Sequence, residues 1–327
     1  MQRFPDPLGV RAASRFVMNR ARHVTIVREQ ATRVAREIID SPALPDVMNW
    51  ETDHLGSRTL TDDELANFVL VLDALNFYFW GCPRWRITYQ ERTENGYWAL
   101  TLALRRALLA GYPITDAHYL ATIPAADVAH ILRGESVIPE FAARVHNLRE
   151  AGEALLRDYD GRFLTAISEA GNSGASLLRR VITSFPSFVD VRAYNGRAIP
   201  FYKRAQILVS DLGAAFESRG VRLFDDLSCL TAFADYKVPQ VLQHLGVLKY
   251  SAELERTLSQ GRIVPAGSAF EVEIRAATIV AVDNITLSTF ELGSPQRAYE
   301  IDWHLWALGQ KGRSDRLTYH RTPTIAY

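Results

Sequence analysis

Asp235 is the carboxylate whose surroundings most suggest chemistry. It stands in Thr231-Ala232-Phe233-Ala234-Asp235-Tyr236-Lys237-Val238-Pro239-Gln240, at a break before a helix in which Pro239 suits the first turn. A carboxylate between aromatic residues is partly desolvated, which suits acid–base work or stabilisation of a cation. An N-cap or turn carboxylate fits the same residues equally well.

Two further clusters have chemical potential. Phe201-Tyr202-Lys203-Arg204-Ala205-Gln206 opens a helix after Pro200. Free backbone N–H groups and two cations at a helix start make a seat for a phosphate monoester. A solvated basic turn is the more ordinary reading of a Lys-Arg pair. In Asp302-Trp303-His304-Leu305-Trp306 the first and last residues are four apart and share a helical face. They could hold a flat heterocycle, although a core tryptophan beside a surface aspartate is the commoner case. Glu271 and Arg275, at the same spacing, pair structurally. There is no P-loop, GxGxxG, HExxH, GxSxG or CxxC, and the eight histidines have no metal-ligand spacing. No metal is expected.

The elements that must position these residues are mostly helical. Val24, Val27, Val34, Ile38 and Ile39 predict one amphipathic helix over 14–40. Thr61-Asp62-Asp63-Glu64 has capping-box spacing and opens a helix into Phe68–Leu72, which continues through the aromatic run to Trp80. A short β-hairpin is expected within 85–97, turning at Asn95-Gly96. Helices are expected over 98–110, 139–159, 173–183, 201–216, 239–245, 251–259, 269–290 and 296–308, with one helical pattern from 113 to 134. Between 185 and 200 the helical period is lost, and Asn195-Gly196 marks a turn. The simplest architecture is one mostly α-helical body over 1–327, with a weak seam near 135–140.

Composition bounds the function. A hydrophobic fraction of 48% over 327 residues supports a sizeable core. Lys+Arg and Asp+Glu are both 37, so no broad basic surface for nucleic acid is expected, while a compact phosphate pocket stays possible. The two cysteines, Cys82 and Cys229, suit a reducing cytoplasm. The first residues lack the apolar core of a signal peptide, and no apolar run approaches roughly 18 residues. A cytoplasmic location without membrane contact is expected.

Taken in order, Asp73–Trp80, Gly96–Leu100, Phe201–Gln206, Phe233–Gln240 and Glu271–Arg275 resemble the queuosine salvage proteins, from about residue 15 to Tyr327. That family comprises queuosine 5′-phosphate N-glycosylases/hydrolases. The resemblance implies hydrolysis of queuosine 5′-monophosphate to queuine and ribose 5-phosphate. It also implies a helical fold similar to helix-hairpin-helix DNA glycosylases, without a metal or organic cofactor. Residue by residue, it puts Asp235 at the catalytic aspartate and Phe233 at an aromatic that contacts the base. Asp302, Trp306 and His54 fall at further base-binding positions. Lys203 and Arg204 match the family motif, and their assignment to the 5′-phosphate comes from chemistry. A non-catalytic queuine-binding protein would use the same aromatics and carboxylates. A nucleic-acid-binding helix-hairpin-helix module is disfavoured by the zero net charge.

Overall fold

The computed structural model describes residues 4–41, 50, 54, 60–310 and 318–327. In chain order the described elements are α1 (Val10–Met18), β1 (Val24–Ile26), α2 (Arg28–Ile39), α3 (Asp62–Ala74), β2 (Arg86–Tyr89), β3 (Arg92–Asn95) and α4 (Gly96–Leu109). Then come α5 (Ala117–Thr122), α6 (Ala125–Ile131), α7 (Phe141–Asp158), α8 (Phe163–Glu169), α9 (Gly174–Ser184), β4 (Val191–Tyr194) and β5 (Arg197–Pro200). The chain continues with α10 (Lys203–Glu217), α11 (Lys237–His244), β6 (Leu248–Tyr250), α12 (Ala252–Ser259), α13 (Ala269–Glu291) and α14 (Ala298–Gln310). The fold is thus mostly helical, with three small antiparallel strand pairs among the described residues. Among those residues no helix is long and apolar enough to cross a membrane.

The chain divides into two compact units. The first comprises Met1–Val47, Asp190–Gln206 and Leu227–Thr324, and the second Met48–Val189, Ile207–Asp226 and Ile325–Tyr327. Residues 135–140 lie inside the second.

The first unit is built on α13, which is apolar around most of its circumference and packs against α1, α2 and α14. Ser268 caps it, accepting from the Glu271 N–H. The single helix expected over 14–40 is instead α1, β1 and α2. The β-branched run Val24-Thr25-Ile26 pairs antiparallel with Leu248–Tyr250, and the Arg22 and His23 N–H groups donate to the Glu273 carboxylate at 3.0 and 2.7 Å. These partners satisfy the backbone better there than another helical turn would. The Asn195-Gly196 turn is present: both residues have positive φ, 48° and 74°, and join β4 to β5.

The second unit shows two departures. Its hairpin turns at Gln90-Glu91, both with positive φ, and Asn95-Gly96 leads into α4 instead. The helix opened by Thr61 has its capping box but stops at Ala74. The following carbonyls of Leu75, Phe77 and Tyr78 accept from the buried Arg144 guanidinium, which also lies 4.3 Å from the Phe77 ring centre. The pattern expected to run from 113 to 134 breaks at Ile123-Pro124, between α5 and α6.

Close approach of α5 and α7 depends on Gly152. A Cβ there would lie 2.2 Å from the Ala121 backbone nitrogen and 2.7 Å from the Ala117 carbonyl oxygen. Gly152→Ala is therefore expected to destabilise the protein by roughly 3 kcal/mol, the upper range for overpacking. Thermal unfolding at an unchanged midpoint would contradict that packing.

Candidate active site

The segment before α11 is held to the start of α10 by amide and hydroxyl groups. Gln206 accepts from the Thr231 N–H at 2.8 Å and donates to Thr231 Oγ1 at 3.0 Å and to the Phe201 carbonyl at 2.8 Å. Four residues on, Asp235 Oδ1 accepts from the Lys237 and Val238 N–H groups at 2.8 and 2.9 Å. Asp235 is thus a helix-start carboxylate, yet only 8% exposed. Its Oδ2 accepts no hydrogen bond among the described residues. The turn reading and the chemical reading of this residue describe its two oxygens.

Asp302, on α14, is 3% exposed, and its Oδ1 accepts from the Phe233 N–H at 2.9 Å. Helices α11 and α14 approach closely at Gly309, where a Cβ would lie 3.0 Å from Val241 and 3.1 Å from Lys237. The bond to Phe233 binds α14 directly to the segment carrying Asp235.

Electrostatics separates the two carboxylates. Burial raises the Asp235 pKa, opposed by the charge of Lys203, the Val238 and Lys237 N–H groups and the charge of Lys237. Burial raises Asp302 well above the usual range, and the negative charge of Asp235 raises it further, against the Phe233 N–H and Lys203. In such a pair the group with more cationic and N–H support ionises first. Of the two, Asp235 is the easier to ionise and Asp302 the one held further toward the protonated form.

Lys203 opens α10 at 6% exposure, and its charge acts on both carboxylates. Arg204 beside it is 1% exposed. Neither belongs to a solvated basic turn. Phe233 is buried, and Trp306, one helical turn beyond Asp302, is half-buried against the core. His54 belongs to the second unit, where its ring stacks on Trp50 at 4.0 Å and its Nε2 lies 2.8 Å from the Tyr97 hydroxyl. The structure therefore brings Asp235, Asp302, Phe233 and Lys203 together in the first unit, with Arg204 and Trp306 on the same helices. No metal-ligand cluster of three His, Cys, Asp or Glu side chains occurs among the described residues.

Sequence reasoning missed Asp190 and saw only part of Arg275. The Glu271–Arg275 pair is present at 3.2 Å, but Arg275 also bonds Asp190 and the Ala234 carbonyl. These partners are 85 and 41 residues away in sequence, beyond any local pattern. His320 is buried nearby, and burial, with the charge of Arg275, lowers its pKa from 6.5 to about 3. A depressed pKa gives stability that is present above 6.5 and lost as pH falls toward 3. His320→Gln is expected to flatten this acid limb. Urea unfolding between pH 7.5 and 4 checks it, and parallel limbs for both proteins would contradict the assignment.

Comparison with known proteins decides the family. The family model described as queuosine salvage protein matches residues 57–327, which include Asp235, Asp302, Phe233, Lys203, Arg204 and Trp306 but not His54. The chain belongs to the queuosine salvage protein family. Among relatives carrying the name queuosine 5′-phosphate N-glycosylase/hydrolase, one from Sphaerobacter thermophilus is 47% identical over 322 residues, covering 98% of each chain. A queuosine salvage protein of that name from Mus musculus is 36% identical, covering 98% of this chain and 99% of its own. Another from Dictyostelium discoideum is 33% identical, covering 97% and 98%.

Proposed function

We propose that the protein hydrolyses the N-glycosidic bond of queuosine 5′-monophosphate, releasing queuine and ribose 5-phosphate. The observation that carries this reading is the buried carboxylate pair, each member anchored through one oxygen, with burial raising Asp302 further than Asp235.

The substrate's chemistry calls for such a pair. Breaking the C1′–N9 bond sends the electron pair to the base and builds oxocarbenium character on the ribose. Ionised Asp235 stabilises that cation and takes a proton from the water that adds to C1′. Queuine has carbon at position 7, so its departure cannot be assisted by protonation there. Asp302 gives its proton to another atom of the base, and the protons redistribute when the products leave. Phe233 and Trp306 flank the base, with stacking worth roughly 1–3 kcal/mol per base. His54 is assigned to the base as well.

Lys203 and Arg204 are assigned to the 5′-phosphate, whose binding energy positions the sugar. Their burial at the start of α10 supports this. Lys203→Ala is expected to raise KM for the nucleotide roughly tenfold more than for free queuosine, about 1.4 kcal/mol of differential binding. Equal losses on both substrates would remove the phosphate role.

Zero net charge supports a free nucleotide as substrate, with no stable nucleic-acid complex. We also assign the protein to the cytoplasm, as one functional body over 1–327 without a cofactor, its scaffold similar to helix-hairpin-helix DNA glycosylases. The test is turnover: queuosine 5′-monophosphate is incubated with the protein and queuine is sought by mass spectrometry. Release supports the enzyme. Binding of queuine without any release would leave a binding protein instead.

A further inference from the structure

Arg275 makes bonds that a structural ion pair does not need. Its Nε donates to the Ala234 carbonyl at 2.9 Å, one residue before Asp235. Its Nη atoms donate to the two oxygens of Asp190, at 3.0 and 2.5 Å, and to Glu271 at 3.2 Å. The guanidinium carbon lies 4.0 Å from the centre of the Phe201 ring. The planar fork thus engages both oxygens of a carboxylate while its Nε holds a backbone carbonyl, a fixed geometry that the single ammonium of a lysine does not reproduce.

Asp190 carries the grip to the other segment. Its Oδ2 accepts from the Lys203 N–H at 3.3 Å, and its backbone carbonyl accepts from Phe201 and Tyr202 at 2.9 and 3.2 Å. Tyr202 has φ 50°, a left-handed conformation that a bulky residue keeps only when its surroundings over-determine it. Burial works to raise the Asp190 pKa, but the charge and hydrogen bonds of Arg275, with Arg192 and the Lys203 N–H, hold it below the usual range. The carboxylate therefore stays ionised as an acceptor for both.

We infer that Arg275 and Asp190 form a positioning pair, which ties the segment carrying Asp235 to the start of α10 and so sets Lys203 against Asp235 for hydrolysis. The inference rests on the proposed role of Asp235. Neither Arg275 nor Asp190 needs to touch substrate. Their effect runs through the spacing between a cation at the start of α10 and a carboxylate at the start of α11. The other charged groups that act on Asp235 are Lys237 and Asp302. Both lie outside the Arg275–Asp190 bonds, so the pair can be altered while they remain.

The test is the pH dependence of kcat in Arg275→Lys and Asp190→Asn, with Glu271→Gln as control. Glu271 touches the same guanidinium but bonds neither Ala234 nor Lys203. Arg275→Lys is expected to lower kcat about 100-fold with KM changed less than threefold, and to move the acid limb upward by about one pH unit. Asp190→Asn should move the limb the same way by less, and it decides the matter if Arg275→Lys does not fold. Glu271→Gln should lower the melting midpoint and leave the limb in place. In an Asp235→Asn background, Arg275→Lys should cost little further activity, because both changes remove one function. Folded Asp190→Asn with a wild-type limb would overturn the inference, as would an equal limb shift in Glu271→Gln. Wild-type turnover in Asp235→Asn alone would instead overturn the catalytic reading beneath it.

Discussion

Asp235→Asn is expected to lower kcat for queuosine 5′-monophosphate by roughly 10³-fold or more while queuine binding stays near wild type. The amide oxygen of asparagine can still accept from the Lys237 and Val238 N–H groups, and asparagine is itself a good helix cap. The local fold should therefore survive. What disappears is the negative charge on the oxygen that α11 does not hold, and with it both cation stabilisation and proton acceptance. Single-turnover release of queuine, together with calorimetric binding of queuine, measures the two separately. Wild-type turnover would remove Asp235 from catalysis. Loss of binding in proportion to turnover would mean that Asp235 holds the base.

Asp302→Asn is expected to cost roughly 10²–10⁴-fold in kcat, the range for losing a general acid, and also to change stability in a pH-dependent way. Asparagine keeps an acceptor for the Phe233 N–H but has no proton to give. Asp302 has its pKa raised in the folded state, by burial and then by Asp235. Its contribution to stability is therefore fully present below the ordinary carboxylate range and is lost as pH rises toward the raised value. Each unit of that shift is worth about 1.4 kcal/mol. The variant escapes this loss, so its melting midpoint should rise relative to wild type as the pH is taken from 5 to about 9. An inactive variant that gains on wild type with pH is the signature of a site strained for function. A constant difference in midpoint would show that Asp302 is ionised throughout.

Local signals were readable where the partner is close in sequence. The Thr61–Glu64 capping box and the Asn195-Gly196 turn each involve residues within a few positions, and both are present. Asp235 was readable as a carboxylate at a break. That it accepts from the first N–H groups of α11 and is buried at once followed only from its surroundings. Non-local partners defeated the sequence elsewhere. Val24–Ile26 looked helical because its strand partner, Leu248–Tyr250, lies more than two hundred residues away. The hairpin turn was misplaced because Gln90 and Glu91 adopt positive φ without a glycine, while Asn95-Gly96 serves the start of α4. The aromatic run after Ala74 left the helix because Arg144, far along the chain, takes its carbonyls. Asp190 had no motif at all. The raised pKa of Asp302 was equally hidden, since it depends on burial and on a second aspartate 67 residues earlier.

The division of labour between the two aspartates is tested most directly by a crystal structure of Asp235→Asn with intact queuosine 5′-monophosphate. The side chain at position 235 should lie in van der Waals contact with C1′, with Asp302 Oδ2 within hydrogen-bonding distance of the base. Asp302 against the sugar and position 235 against the base would contradict the account, as would a nucleotide bound away from both.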